Sequence, residues 1–170
     1  MVNKSSTGTD SEPGGRGSTA FLLAQVGAHA ASQFGGRLAR LRLSRPHAGI
    51  LRLISQSPGL SQQELGRRLA ILPSRLVALL DELQEKGLIE RRDDTEDRRT
   101  YALHLTTSGR KVTKQIGRIA REHDDAICAV LNKEERLKLN ALLGRIAQEQ
   151  KLSAGIHPGY RLMGRKPRSR

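Results

Sequence analysis

The side chains best placed for chemistry in this chain are arginines, and the chemistry they offer is recognition rather than bond-making. Arg75 follows Pro73-Ser74 where a helix should open, and Arg98 and Arg99 follow Asp97 in a charged stretch. A guanidinium presents a planar fork of donors that matches a phosphate, a carboxylate or the O6/N7 edge of guanine. An acid two residues before an arginine can orient that fork. Ser61 and Gln62 stand at another helix start, where side chains and free amides can hold a phosphate. Serine, histidine and aspartate are all present. Yet there is no nucleophile elbow, no phosphate-cradling glycine loop and no paired carboxylates in a glycine-flanked cleft, so enzymatic activity is not expected. Cys128 is the single cysteine, which excludes an intramolecular disulfide. His29, His47 and His123 fall on or near apolar faces without spaced carboxylates or cysteines, so neither a metal nor a cofactor is expected.

The chain of 170 residues is long enough for one domain with a sizeable core. Tryptophan is absent and aromatics make up 2% of residues, so that core must be aliphatic. The formal net charge of +13 favours a polyanionic partner. Its distribution tempers the inference. Residues 37–52 carry five arginines and no acids, whereas residues 61–110 carry nine basic and nine acidic side chains. Residues 151–170 carry six basic groups and no acids. The lone cysteine fits a reducing cytoplasm. Ala20–Ala31 is apolar and Ala28-His29-Ala30 faintly resembles a cleavage site, but Asp10 and Glu12 precede it and Gln25 interrupts it. No apolar run approaches membrane-spanning length.

The elements that must position these residues follow from local rules. Residues 1–19 are rich in Gly, Ser and Thr and read as disordered. Residues 20–41 show helical spacing through Phe21, Leu22, Gln25, Val26, His29 and Phe34. Ser44 should cap a second helix, with Pro46 in its first turn, His47, Ile50, Leu51 and Ile54 on one face, and Pro58-Gly59 beyond its end. Ser61-Gln62-Gln63-Glu64 reads as a capping box: hydroxyl to amide, carboxylate back to the cap amide. Pro73 suits the first position of the next helix, whose stripe is Leu76, Leu79, Leu80 and Leu83, with Gly87 as its stop. Leu88–Arg92 and Tyr101–Leu105 read as strands of a hairpin with a long charged tip. Thr106 or Thr107 caps a long helix to about Leu131, and Asn132 with Glu135 opens a final helix bearing Leu137, Leu142, Leu143 and Ile146. Residues 153–170 carry no packing stripe and read as a basic flexible tail. Two short helices joined by a tight turn and followed by a hairpin with an arginine-bearing tip suit double-stranded DNA. The second helix can enter the major groove and the tip the minor groove.

This order resembles the MarR family of winged-helix transcriptional regulators over residues 20–150. The resemblance is carried by Leu60-Ser61-Gln62-Gln63-Glu64-Leu65, Pro73-Ser74, Leu83 through Gly87-Leu88-Ile89-Glu90-Arg91, Asp97-Arg98-Arg99 and Leu105-Thr106-Thr107-Ser108-Gly109. It implies a mainly α fold with a small β-hairpin wing: a winged helix-turn-helix over residues 44–106 and a helical dimerisation region over 20–43 and 107–152. It implies a cytoplasmic homodimer on a palindromic operator, most simply a repressor, under the control of a small molecule. The expected DNA-binding residues are Ser61, Gln62, Pro73, Ser74, Arg75, Val77, Ala78, Asp97, Arg98 and Arg99, with Asp97 bracing Arg99. Gln25, His29, His47 and Leu51 are the expected effector-pocket residues. Two departures stand out. Leu72 occupies a position where such proteins often have a capping Asp, and Val77 and Ala78 stand where a Thr-Arg pair is common. The competing readings are an effector-independent architectural DNA binder and a winged helix that binds protein; the arginines weigh against the latter.

Overall fold

The computed structural model describes residues 17–93, 101–153, 155–157 and 160. Asp97, Arg98 and Arg99, and residues 1–16, lie outside the described residues. Six helices and a small sheet follow in the order α1 (Thr19–Ala39), α2 (Arg45–Gln56), β1 (Leu60–Ser61), α3 (Gln62–Leu69), α4 (Pro73–Glu85), β2 (Ile89–Asp93), β3 (Tyr101–Leu105), α5 (Thr107–Ile127) and α6 (Lys133–Glu149). The fold is mainly α with an antiparallel wing, as the sequence pattern implies.

Local chemistry explains most of the boundaries. Ser18 caps α1, its hydroxyl accepting from the Phe21 amide at 3.3 Å. Helix α4 begins at Pro73 and ends where Gly87 takes a positive φ of 65°. There the Leu88 amide donates back to the Leu83 carbonyl at 3.0 Å and the Gly87 amide to Gln84 at 2.8 Å, closing the helix end in a Schellman-type turn. Thr106 caps α5 through the Gly109 amide at 2.9 Å, and its hydroxyl donates to the Gly87 carbonyl at 2.7 Å. Asn132 and Glu135 form the expected reciprocal box at α6, at 3.0 and 2.8 Å.

The core is aliphatic. Ile50, Leu51 and Ile54 of α2 meet Leu65 and Leu69 of α3, the α4 stripe Leu76, Leu79, Leu80 and Leu83, and Ile89 and Leu103 of the sheet. Strand order is β1-β3-β2, with Leu60 opposite Leu103 and Arg91 opposite Leu103 from the other side. The short β1 was not legible as a strand: two residues carry no period, and only the edge of β3, some 40 residues on, gives them a partner. Leu38 of α1 and Ile116 of α5 reach the core, but α6 buries nothing in this chain. Part of the expected flexible tail is also corrected. Ile156 packs against the core and Tyr160 is one of its buried members, so the chain returns to the fold after α6.

Among the described residues no helix is long and apolar enough to cross a membrane, and no group of histidine, cysteine and acidic side chains could hold a metal ion.

Candidate nucleic-acid interface

Helix α4 presents two faces of opposite character. Leu76, Leu79, Leu80 and Leu83 are buried, while Pro73, Ser74, Arg75, Val77 and Ala78 are all exposed. The exposed set therefore lines one edge of the first two turns. Leu72 precedes them as an N-cap that makes no side-chain hydrogen bond, so the first-turn amides of α4 stay open to an acceptor from outside.

Ser61 caps α3 by accepting from the Glu64 amide at 3.2 Å. The return half of the expected capping box is absent. The Glu64 carboxylate instead takes Arg67 at 2.7 and 2.6 Å and Arg68 at 2.7 Å. Two guanidiniums one turn away outcompete a neutral amide, because charge-assisted bonds are the stronger ones. The hydrogen bonds from Arg67 and then Arg68 hold the Glu64 carboxyl down at about 2. Gln62 follows Ser61 at the first position of α3, half-buried.

Between α3 and α4 the chain turns through Ala70 in the left-handed region at φ 52°, with Ile71 buried beneath. A cleft of about 550 Å³ opens there, and Ser61, Gln62 and Pro73 line it together with Arg67, Arg91 and Tyr101. Three of the expected DNA-binding residues thus share one concave surface at the edge of the wing. Arg91 and Tyr101 were missed by sequence reasoning. Arg91 donates to Asp81 and Gln84 of α4, both at 2.6 Å, and so ties β2 to the helix. Nothing in the local sequence marks a bond spanning ten residues.

The four expected effector-pocket residues stand on two helices, Gln25 and His29 on α1 and His47 and Leu51 on α2. Leu51 is fully buried in the core. His47 is 4% exposed: its Nδ1 accepts from the Ser44 amide at 3.1 Å, and its Nε2 lies 3.2 Å from Glu82 Oε2 of α4. Gln25 and His29 are exposed on α1. His47 and Leu51 thus pack in the core, and His47 also forms a strut onto α4.

That strut makes stability depend on pH. Burial lowers the His47 pKa from its ordinary value, with Lys86 and Arg75 adding to the effect and Glu82 opposing it. Desolvation lowers His123 and His157 in the same direction. A depressed imidazole contributes stability that is present above the unfolded value of about 6.5 and is lost as pH falls toward the folded value. Urea unfolding should therefore show a weaker fold at pH 5.5 than at pH 7.5, and His47→Gln should narrow the gap. An unchanged gap in His47→Gln would remove His47 from this account.

Comparison with known proteins supplies the lineage. Residues 43–100 match the family model described as MarR family. The chain is 29% identical over 129 residues to the HTH-type transcriptional repressor Rv2887 of Mycobacterium tuberculosis, covering 76% of this chain and 93% of that one. It is 35% identical over 99 residues to the HTH-type transcriptional regulator FarR of Neisseria gonorrhoeae, covering 58% and 68%. Among solved structures it is similar to the Mycobacterium tuberculosis MarR family protein Rv2887 in complex with DNA, at a TM-score of 0.68 and 27% identity over 77% of this chain and 98% of that one. The same relative has been solved with salicylic acid, at a TM-score of 0.62 and 28% identity over 77% of this chain and 97% of that one. With its winged helix-turn-helix and this level of identity, the chain belongs to the MarR family of transcriptional regulators.

Proposed function

We propose that the protein is a sequence-specific DNA-binding repressor that acts in the cytoplasm as a homodimer on a palindromic operator. The exposed edge of α4 carries this reading: Ser74, Arg75, Val77 and Ala78 face outward on a helix whose other face is locked into the core. Arg75 takes a guanine edge, Val77 a thymine methyl, and the open amides of α4 with Ser61 and Gln62 the flanking phosphates. Asp97, Arg98 and Arg99, which lie outside the described residues, are the proposed contacts to the minor groove. The relative crystallised with DNA supports DNA as the partner.

A second copy of the chain is the natural cover for helices α1 and α6. Phe21 of α1 and Leu137 of α6 are 58% and 63% exposed, and Val26 on α1 and Leu142 and Ile146 on α6 are exposed as well. Apolar surface on that scale, rimmed by charge, marks an association face. In this reading α1, α5 and α6 form the dimerisation region and residues 44–106 the DNA-binding unit. The relative solved with salicylic acid supports control by a small aromatic anion. Binding that shifts the spacing of the two α4 helices would take them out of register with half-sites about one helical turn apart.

The test is affinity for a duplex selected from genomic fragments, measured against a random duplex of equal length at one salt concentration. The selected duplex should bind at least about 10³-fold more tightly. Equal affinity for both would reduce the protein to a nonspecific cation.

A further inference from the structure

Gly49 stands inside α2, where glycine is a poor helix former. Its place is explained by a residue more than 100 positions later. The hydroxyl-bearing end of the Tyr160 ring covers this spot: a Cβ at position 49 would sit 3.1 Å from both its Cε2 and hydroxyl atoms. Tyr160 is only 8% exposed, and its hydroxyl donates to the Arg45 carbonyl at 2.9 Å, one turn back along the same helix. Two further fastenings hold the approach. Arg52 of α2 donates to the Gly155 carbonyl, and Ile156 packs against the core. The site thus has backbone bared by a missing side chain, an acceptor placed for one hydroxyl, and two arginines, Arg45 and Arg52, close enough to act on the phenol electrostatically.

We propose that the face of α2 around Gly49 is a binding site for a phenol, and that the chain fills it in cis with the side chain of Tyr160. Each feature is selective. The bared backbone at Gly49 leaves room for the hydroxyl-bearing end of a ring, which any larger side chain at this position would fill. The Arg45 carbonyl rewards a hydroxyl donor at the ring's far end. Tethering by the short run after α6 presents the phenol at an effective concentration in the millimolar range, which a free phenol must exceed to displace it. The turn that carries the site also carries His47, whose Nε2 meets Glu82 of α4. Occupancy is therefore linked to the position of α4, a link that matters for operator binding only if α4 reads DNA as proposed above.

Two measurements on the full chain test the site without DNA. Tyr160→Ala should lower the melting temperature of the parent chain but not that of Gly49→Leu, in which the ring has already been evicted. The probe p-cresol, the tyrosine side chain as a free molecule, should bind Tyr160→Ala and raise its melting temperature. It should leave the parent chain and the Gly49→Leu/Tyr160→Ala double variant unchanged. An equal effect of Tyr160→Ala in both backgrounds, or equal p-cresol binding by all three proteins, would overturn the site. On the selected duplex, Tyr160→Ala should lose affinity that p-cresol restores. Unchanged affinity would overturn the link to α4 and leave the site standing. Failure of the parent chain itself to bind would count against the DNA reading alone.

Discussion

Gly109→Ala should be the most damaging alanine substitution among the described glycines. A Cβ at this position would lie 1.9 Å from the Leu88 carbonyl oxygen and 2.9 Å from its carbon, and both atoms are backbone. Nothing there can swing aside, because the same carbonyl accepts from the Thr106 amide at 3.1 Å and Thr106 also bonds the Gly87 carbonyl. The first turn of α5 is stapled onto the junction between α4 and β2. A methyl must pry that junction open, at a cost on the order of 3 kcal/mol, the upper end for overpacked sites. Against a domain stability of about 5–15 kcal/mol, that is a large share. Gly117→Ala, in the same helix, is the matched control: its nearest neighbour is the tip of Arg121 at 3.8 Å. There alanine should stabilise by about 1 kcal/mol through helix propensity. Urea denaturation of both variants would show opposite signs; two changes of the same sign would mean the close approach at Gly109 is not real.

Arg75→Ala should have the largest effect on DNA binding among the described residues. Its side chain is exposed at the start of α4, so the fold should be untouched. If the guanidinium takes a base edge, the variant should lose about 1–3 kcal/mol on the operator and relax preference at one position in each half-site. Competition with single-base operator variants reads this directly. A uniform loss on every sequence would make Arg75 a phosphate contact and move the reading of bases to Ser74, Val77 or Ala78.

Much of the fold was legible because it rests on short-range rules. Ser44 and Pro46 open α2, Pro73 and Gly87 bound α4, and Asn132 with Glu135 opens α6, each within one helical turn. The exposed edge of α4 was legible for the same reason, since its leucine stripe leaves only one face free. What escaped depends on partners distant in sequence. β1 exists only beside β3, Arg91 is held by Asp81 and Gln84, and Tyr160 lands on Gly49. The spacing of His47 marks it as inward-facing, but it cannot name the carboxylate on the next helix that the ring meets. Glu64 shows the same limit at short range: the box pattern named one partner, and two arginines nearby took its carboxylate.

The measurement that bears most directly on the central claim is the mass of the protein–duplex complex in solution, taken on the selected operator by sedimentation equilibrium. The account predicts two chains on one duplex, because each half-site takes one α4 and the apolar faces of α1 and α6 need a second copy to cover them. A single chain bound at full affinity would contradict it.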